Sequence, residues 1–290
     1  MSVRLLSLLA VLALSAGAAR GEVALRDDLD REVRLSEYPR RIISLLPSLT
    51  ETVCALDACD RLVATDRYSN WPASVQSLPK TGGLEDAEIE EIVRLHPDLV
   101  LLSRSQRISN RLDELHIKSF VMETQTYAAI PKTIDRVARL LGVEGRAGPL
   151  KARIETENGA LVAREAAKHP GEGPTVYFEV DRAPYAAGAS SFIGEMLARL
   201  KARNIVGPEL GPFPKINPEY VVRHNPDVIF IAPSEAEHLN ERPGWSDIRA
   251  VKEHRLCSFP PDKRDVIVRP GPRVTEGLRA LADCLDQVAP

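Results

Sequence analysis

The spacing of apolar residues sorts this chain into hairpin, strand and helix segments. Residues 23–35 alternate around an Asp-rich centre, which predicts a small β-hairpin. Apolar runs of strand length follow at 41–46, 61–66, 99–103 and 119–124. Between them, residues 87–95 place Ile89, Ile92 and Val93 on one inner helical face, and Pro97 ends that helix. Ser48 and Glu51 stand three apart, a capping-box pattern that predicts a helix start. Alternation of strand and helix argues for a mainly parallel sheet with helices on both faces.

The rhythm changes after residue 124. Residues 130–141 predict a helix with Ile134, Val137, Ala138 and Leu141 on one side, and 142–148 interrupt it. Residues 149–169 then read as a long helix rich in Ala, Glu, Lys and Arg. Some twenty helical residues span roughly 30 Å, about a domain diameter. The segment is expected to be a stiff connector; the alternative is a surface helix packed on one lobe. Strand runs resume at 175–180, 228–233 and 255–260, with helices at 190–200 and 217–224 and a closing helix over 271–288.

One phrase occurs twice. EIEEIVRLHPDLVLL (88–102) lies over NPEYVVRHNPDVIFI (217–231), an offset of 129 residues. Ile92 falls on Val221, Val93 on Val222, Arg94 on Arg223 and Glu90 on Glu219. The period is too long for a solenoid unit and implies a duplicated lobe. The expected fold is therefore α/β: two similar lobes with mainly parallel sheets, joined by a long connecting α-helix, with a ligand cleft between them. The expected boundaries are 1–19 for a signal peptide, 20–129 for the N-terminal lobe, 130–170 for the helical connector and 171–290 for the C-terminal lobe.

The leader rests on Arg4, an apolar block at 5–14 and small residues at 15–19, a secretory pattern too short to span a bilayer. No Cys follows it, so no lipid anchor at the cleavage site is expected, and the mature chain should be soluble, periplasmic and not inserted in the membrane. A net charge of −3 gives no basic stripe for nucleic acid. Export makes the cysteines informative. Cys54, Cys59, Cys257 and Cys284 allow three pairings. Cys54–Cys59 would join a helix to the loop after it, and Cys257–Cys284 a late strand to the last helix. Buried free thiols are the alternative.

The segments RIISLLPSLTETVCALDACDRLVATDRYSNWP, LEDAEIEEIVRLHPDLVLLS, GASSFIGEMLARLKARNIVG and VRPGPRVTEGLRAL, in that order, resemble the cobalamin- and iron-chelate-binding proteins of bacterial ABC importers. The resemblance covers nearly all of the mature chain. It implies capture of a bulky chelate, with cobalamin or another corrinoid favoured over a ferric siderophore or haem, and delivery to permease subunits by a monomer. It also implies that Glu90 and Glu219 dock onto permease arginines, as one surface glutamate on each lobe.

Ligand contacts are expected from loops after the strands' carboxyl ends. The candidates are Ser48, Arg67, Tyr68, Trp71 and Leu84 in the first lobe, and Arg182, Tyr185, Phe213, Asp265 and Arg269 in the second. The aromatics offer flat apolar faces, and the arginines could meet carboxylates or phosphates. Tyr68, Phe213 and Asp265 match ligand-contacting positions of the family's cobalamin binders, whereas Leu84, Ser103 and Glu179 stand where those carry aromatics. The six histidines show no metal-ligand spacing, so neither a bound metal nor a resident cofactor is expected. An exported enzyme using Glu179 and Asp181, same-face neighbours on a strand, is the alternative of another class. The chain has no nucleophile elbow, P-loop or dinucleotide fingerprint to support it.

Overall fold

The computed structural model describes residues 22–168, 171–181 and 185–288. The leader at 1–19, Arg182 and His169 lie outside them.

The chain opens with an antiparallel hairpin, β1 (Val23–Arg26) and β2 (Glu32–Leu35). Its inward residues Val23, Leu25, Val33 and Leu35 cover the first lobe. That lobe runs β3 (Ile42–Ser44), α1 (Pro47–Ala55), β4 (Leu62–Thr65), α2 (Ile89–Arg94), β5 (Leu99–Leu102), α3 (Ser109–Glu114), β6 (Ser119–Val121) and α4 (Ala129–Leu141). The connector is α5 (Glu144–Lys168). The second lobe runs β7 (Thr175–Asp181), β8 (Tyr185–Ala186), α6 (Phe192–Arg199), β9 (Arg203–Asn204), α7 (Pro218–His224), β10 (Val228–Phe230), α8 (Pro233–Ala236), α9 (Arg249–Lys252), β11 (Leu256–Cys257), α10 (Pro261–Val268) and α11 (Val274–Val288).

The two sheets share one topology. The first is ordered β4-β3-β5-β6, all parallel. In the second, β9, β7, β10 and β11 repeat that order in parallel, and β8 adds an antiparallel strand to the far end of β7.

The repeated phrase now has a physical cause. Ile92 and Val221 are both wholly buried and anchor α2 and α7. His96 and Asn225 both take φ of 44°, reversing the chain before the proline. Asp98 accepts the amides of Arg40 and Arg41 at 2.8 Å each, just before β3. Asp227 accepts the amide and hydroxyl of Thr175 at 2.9 and 2.7 Å, at the start of β7. The aspartate of each Pro-Asp pair thus ties its own strand to the lobe's first strand and sets the register. Strand faces repeat as well. Leu99, Leu101, Val228 and Phe230 point into a core shared by both lobes, whereas Val100 and Leu102, and Ile229 and Ile231, enter separate outer cores.

Helix α5 has 25 residues, about 38 Å at 1.5 Å per residue. Its buried stripe of Ala147, Leu150, Ile154, Asn158, Leu161 and Glu165 packs between α4 and α11. The helix starts at Glu144 rather than after residue 148. Gly142, left-handed at φ 66°, caps α4, and α5 begins two residues later. Burial of Ala147 and Leu150 in the shared core outweighs the weak helix propensity of Gly145 and Gly148.

Two local expectations are corrected. Helix α1 begins at Pro47, where proline needs no amide partner, and no capping box forms at Ser48 and Glu51. Val93 is 39% exposed, so Ile92 alone makes the deep anchor of α2. Both cysteine pairs form disulfides, Cys54–Cys59 and Cys257–Cys284.

Candidate functional site

Large apolar side chains stand exposed on both lobes next to the strands' carboxyl ends. Tyr68 and Leu84 are exposed on lobe one; Tyr185 and Leu210 are exposed on lobe two, with Phe213 half-buried beside them. Exposing such groups costs roughly 2 kcal/mol each relative to burial, and together they read as a surface kept for a guest.

The Tyr68 loop is braced from beneath. Asp66 is buried and accepts the Tyr68 amide at 2.8 Å and the Ser69 hydroxyl. Ser69 continues to Thr50 and Ser44 at 2.9 Å each. Lys80 donates to the Thr65 hydroxyl and the Ser69 carbonyl, both at 2.8 Å. Burial pushes the Asp66 carboxyl up, against the bonds from Ser69 and Tyr68, and the Lys80 ammonium down, against the charge of Asp66. Arg67 is paired with Asp86, whose other oxygen accepts the Gly83 amide at 2.9 Å. A Cβ at Gly83 would stand 3.2 Å from the Tyr68 ring, so glycine lets the two loops close on one another.

On lobe two, Tyr185 lies in β8 opposite Asp181, not in a loop, and is bridged to Lys215 on its other side. Phe213 packs on Phe192 with centroids 6.1 Å apart. Glu179 is 5% exposed and held by both Arg242 nitrogens at 2.7 and 2.8 Å. A register shift separates it from exposed Asp181. The alternative of a catalytic carboxylate pair gains no support: Glu179 is bound in an ion pair and Asp181 faces solvent.

Four candidates sit at the junction of the lobes. Ser48 is buried, and a Cβ on Gly271 would stand 3.3 Å from its carbonyl oxygen. Arg269, only 7% exposed, is committed to the protein: it reaches Glu51 at 2.9 Å, Asn70 at 2.8 Å, the Tyr68 carbonyl at 2.9 Å and Asp265 at 2.7 Å. Asp265 is in α10 rather than a loop and also accepts from Asn70 at 2.8 Å. Trp71 lies under the Arg273 guanidinium, 4.3 Å from its centroid, and lines a depression with Glu51, Arg153, Glu157 and Thr275. Ser48 and Arg269 thus lie where the two lobes touch. Glu51, Asn70 and Arg273 were missed. Glu51 looked like a capping residue, although its place one turn into a buried helix hinted at a partner.

Glu90 and Glu219 are both exposed, on equivalent turns of α2 and α7. Among the described residues no cluster of three or more His, Cys, Asp and Glu could hold a metal ion, and no helix is long and apolar enough to cross a membrane.

Comparison with known proteins places this geometry. The model of the periplasmic binding protein family matches residues 42–263. The chain belongs to the periplasmic binding protein family. The chain is 29% identical over 272 residues to an uncharacterized ABC transporter substrate-binding lipoprotein, YvrC, of Bacillus subtilis, covering 91% of this chain and 85% of that one. It is 25% identical over 252 residues to the vitamin B12-binding protein of Salmonella typhimurium, covering 86% and 91%. Among solved structures, the vitamin B12-binding protein BtuF of Vibrio cholerae superposes with a TM-score of 0.69 at 21% identity, covering 87% and 98%. This periplasmic binding protein is thus a substrate-binding component of an ABC transporter, of a class that delivers its substrate to membrane permease subunits. Its family is one of binders, not enzymes.

Proposed function

We propose that the protein is exported by cleavage of its leader, captures a bulky metal chelate between its lobes and hands it to the permease of an ABC importer. A corrinoid such as cobalamin is the favoured guest. The carrying observation is the exposed apolar set Tyr68, Leu84, Tyr185 and Leu210, with half-buried Phe213, at the strand ends of both lobes. Its supports are braced, so the apolar faces are set before the guest arrives, which lowers the ordering cost of binding. The B12-binding relatives favour a corrinoid. Leu84 and Glu179 where cobalamin binders carry aromatics favour a ferric siderophore or haem as the second reading. The cobalt or iron belongs to the cargo, and the proposal includes no resident cofactor.

Glu90 and Glu219 form the docking pair. Duplicated lobes give a pseudo-twofold surface that suits a twofold permease, and exposed rim charges steer and orient such an encounter more than they add affinity. The test of the cargo is equilibrium titration of purified mature protein with cobalamin, cobinamide, haem and ferric siderophores. Saturable binding of one chelate, recovered unchanged, supports the reading. Binding of none of them, or chemical conversion of the guest, refutes it.

A further inference from the structure

Beside the shared core, two polar joints of different construction tie the lobes together among the described residues. On one side, the Phe192 amide donates to the Gln125 carbonyl at 2.8 Å and the Tyr127 amide to Glu195 at 2.5 Å. That joint ties backbone amides to a carbonyl and to the Glu195 carboxylate at the start of α6, where Phe192 also packs on Phe213. On the other side, the joint centres on one guanidinium, and the Asn70 amide also donates to Asp265 at 2.8 Å. One Arg269 terminal nitrogen donates to Glu51 and Asn70 and the other to the Tyr68 carbonyl, while Asp265 lies in ion-pair contact at 2.7 Å. Glu51, Tyr68 and Asn70 belong to lobe one, Asp265 and Arg269 to lobe two. Two candidate ligand residues, Tyr68 and Asp265, are thereby fixed relative to each other across the cleft.

We infer that Arg269 is a positioning residue that sets the separation of the Tyr68 loop and α10, and so selects guests by size. The inference rests on the reading of the cleft as a chelate site. Its chemistry is specific to arginine: four acceptors from both lobes are met by one planar fork, whereas a lysine ammonium is a single point on a flexible stem and cannot span them. The Glu51–Arg269 pair at its centre is enclosed, 2% and 7% exposed, so water does not substitute for that bond, whereas Asn70 is exposed and Asp265 partly so. Arg273 reinforces it, 3.7 Å from Glu51 and stacked on Trp71. Trp71, exposed beside this joint, is a reporter, because the other tryptophan, Trp245, is wholly buried.

The test compares wild type with Arg269→Lys and with the charge-balanced pair Glu51→Gln/Arg269→Met, which keeps the site fillable should the lysine variant fold poorly. Arg199→Lys is the control: in the other joint the Arg199 guanidinium stands 3.9 Å from the centroid of the Tyr127 ring. Two readouts are taken: acrylamide quenching of Trp71 with the X-ray scattering curve, and the affinity ratio between cobalamin and a smaller ferric trihydroxamate. Arg269→Lys should raise quenching, broaden the pair-distance distribution and shift the ratio by about tenfold, while Arg199→Lys leaves the ratio unchanged. A uniform loss of affinity with an unchanged ratio would mean a merely structural role and would overturn the inference. Should wild type bind no chelate, the cargo reading fails by itself. The joint is then judged by scattering and quenching: unchanged curves overturn the positioning role, and a widened gap sustains it.

Discussion

Removing the aspartates of the two Pro-Asp turns should have unequal effects, although the turns are copies. Asp227 is 8% exposed and accepts from the Thr175 amide, the Thr175 hydroxyl and Arg249. Asp227→Ala leaves the Thr175 amide without its acceptor at the edge of the core, and the loss of bonds to a charged acceptor should cost about 3 kcal/mol. Asp98 accepts two amides at 2.8 Å but is exposed, so water replaces it, and Asp98→Ala should cost about 1 kcal/mol. Urea unfolding of both variants, with midpoints and slopes fitted separately, reads the difference. The acid limb adds a second check. Burial would raise the Asp227 carboxyl, but bonds from Thr175 and Arg249 outweigh it and hold the group below its ordinary value of 3.8. Its stabilisation is complete above that value and fades as pH falls through the lower folded value, so the gap between wild type and Asp227→Ala should narrow below about pH 3.8. Equal costs for the two variants, or a gap constant with pH, would refute the register-clamp argument.

Other outcomes follow from the same structure. Replacing Cys257 and Cys284 by Ser opens a loop with a sequence separation of 27 and should cost about 3.5 kcal/mol by chain entropy, seen as a lower urea midpoint. Reversing Glu90 and Glu219 to Arg should impair uptake in cells or proteoliposomes while equilibrium affinity for the chelate stays unchanged; undiminished uptake would remove their docking role. With α5 packed against both α4 and α11, ligand should change the scattering curve only slightly, and a large contraction would contradict a stiff connector. Tyr68→Ala should weaken chelate binding by about tenfold with little change in unfolding midpoint, since the residue is 54% exposed.

Much of the architecture was legible because duplication doubled the signal. Helix, Pro-Asp turn and strand recur at one offset, and the structure returns two sheets of the same strand order. The hairpin and the disulfides were legible from alternation and from cysteine placement. What stayed hidden depended on contacts between distant residues. Nothing near Glu51 in sequence announces Arg269: local pattern suggests a helix cap for one and a ligand contact for the other, and only the fold pairs them across the lobes. Glu179 looked like half of a carboxylate pair until Arg242, far along the chain, closed on it. The start of α5 was misplaced because Gly145, Gly148 and Pro149 argue against a helix locally, while burial against the shared core argues for one.

Hydrogen exchange with and without the tightest-binding chelate tests the central claim most directly. A guest seated between the lobes should slow exchange in the segments at 66–71 and 82–86 and, at the same occupancy, in those at 185–190 and 211–216. Protection confined to one lobe, or centred away from these loops, would contradict capture in the cleft.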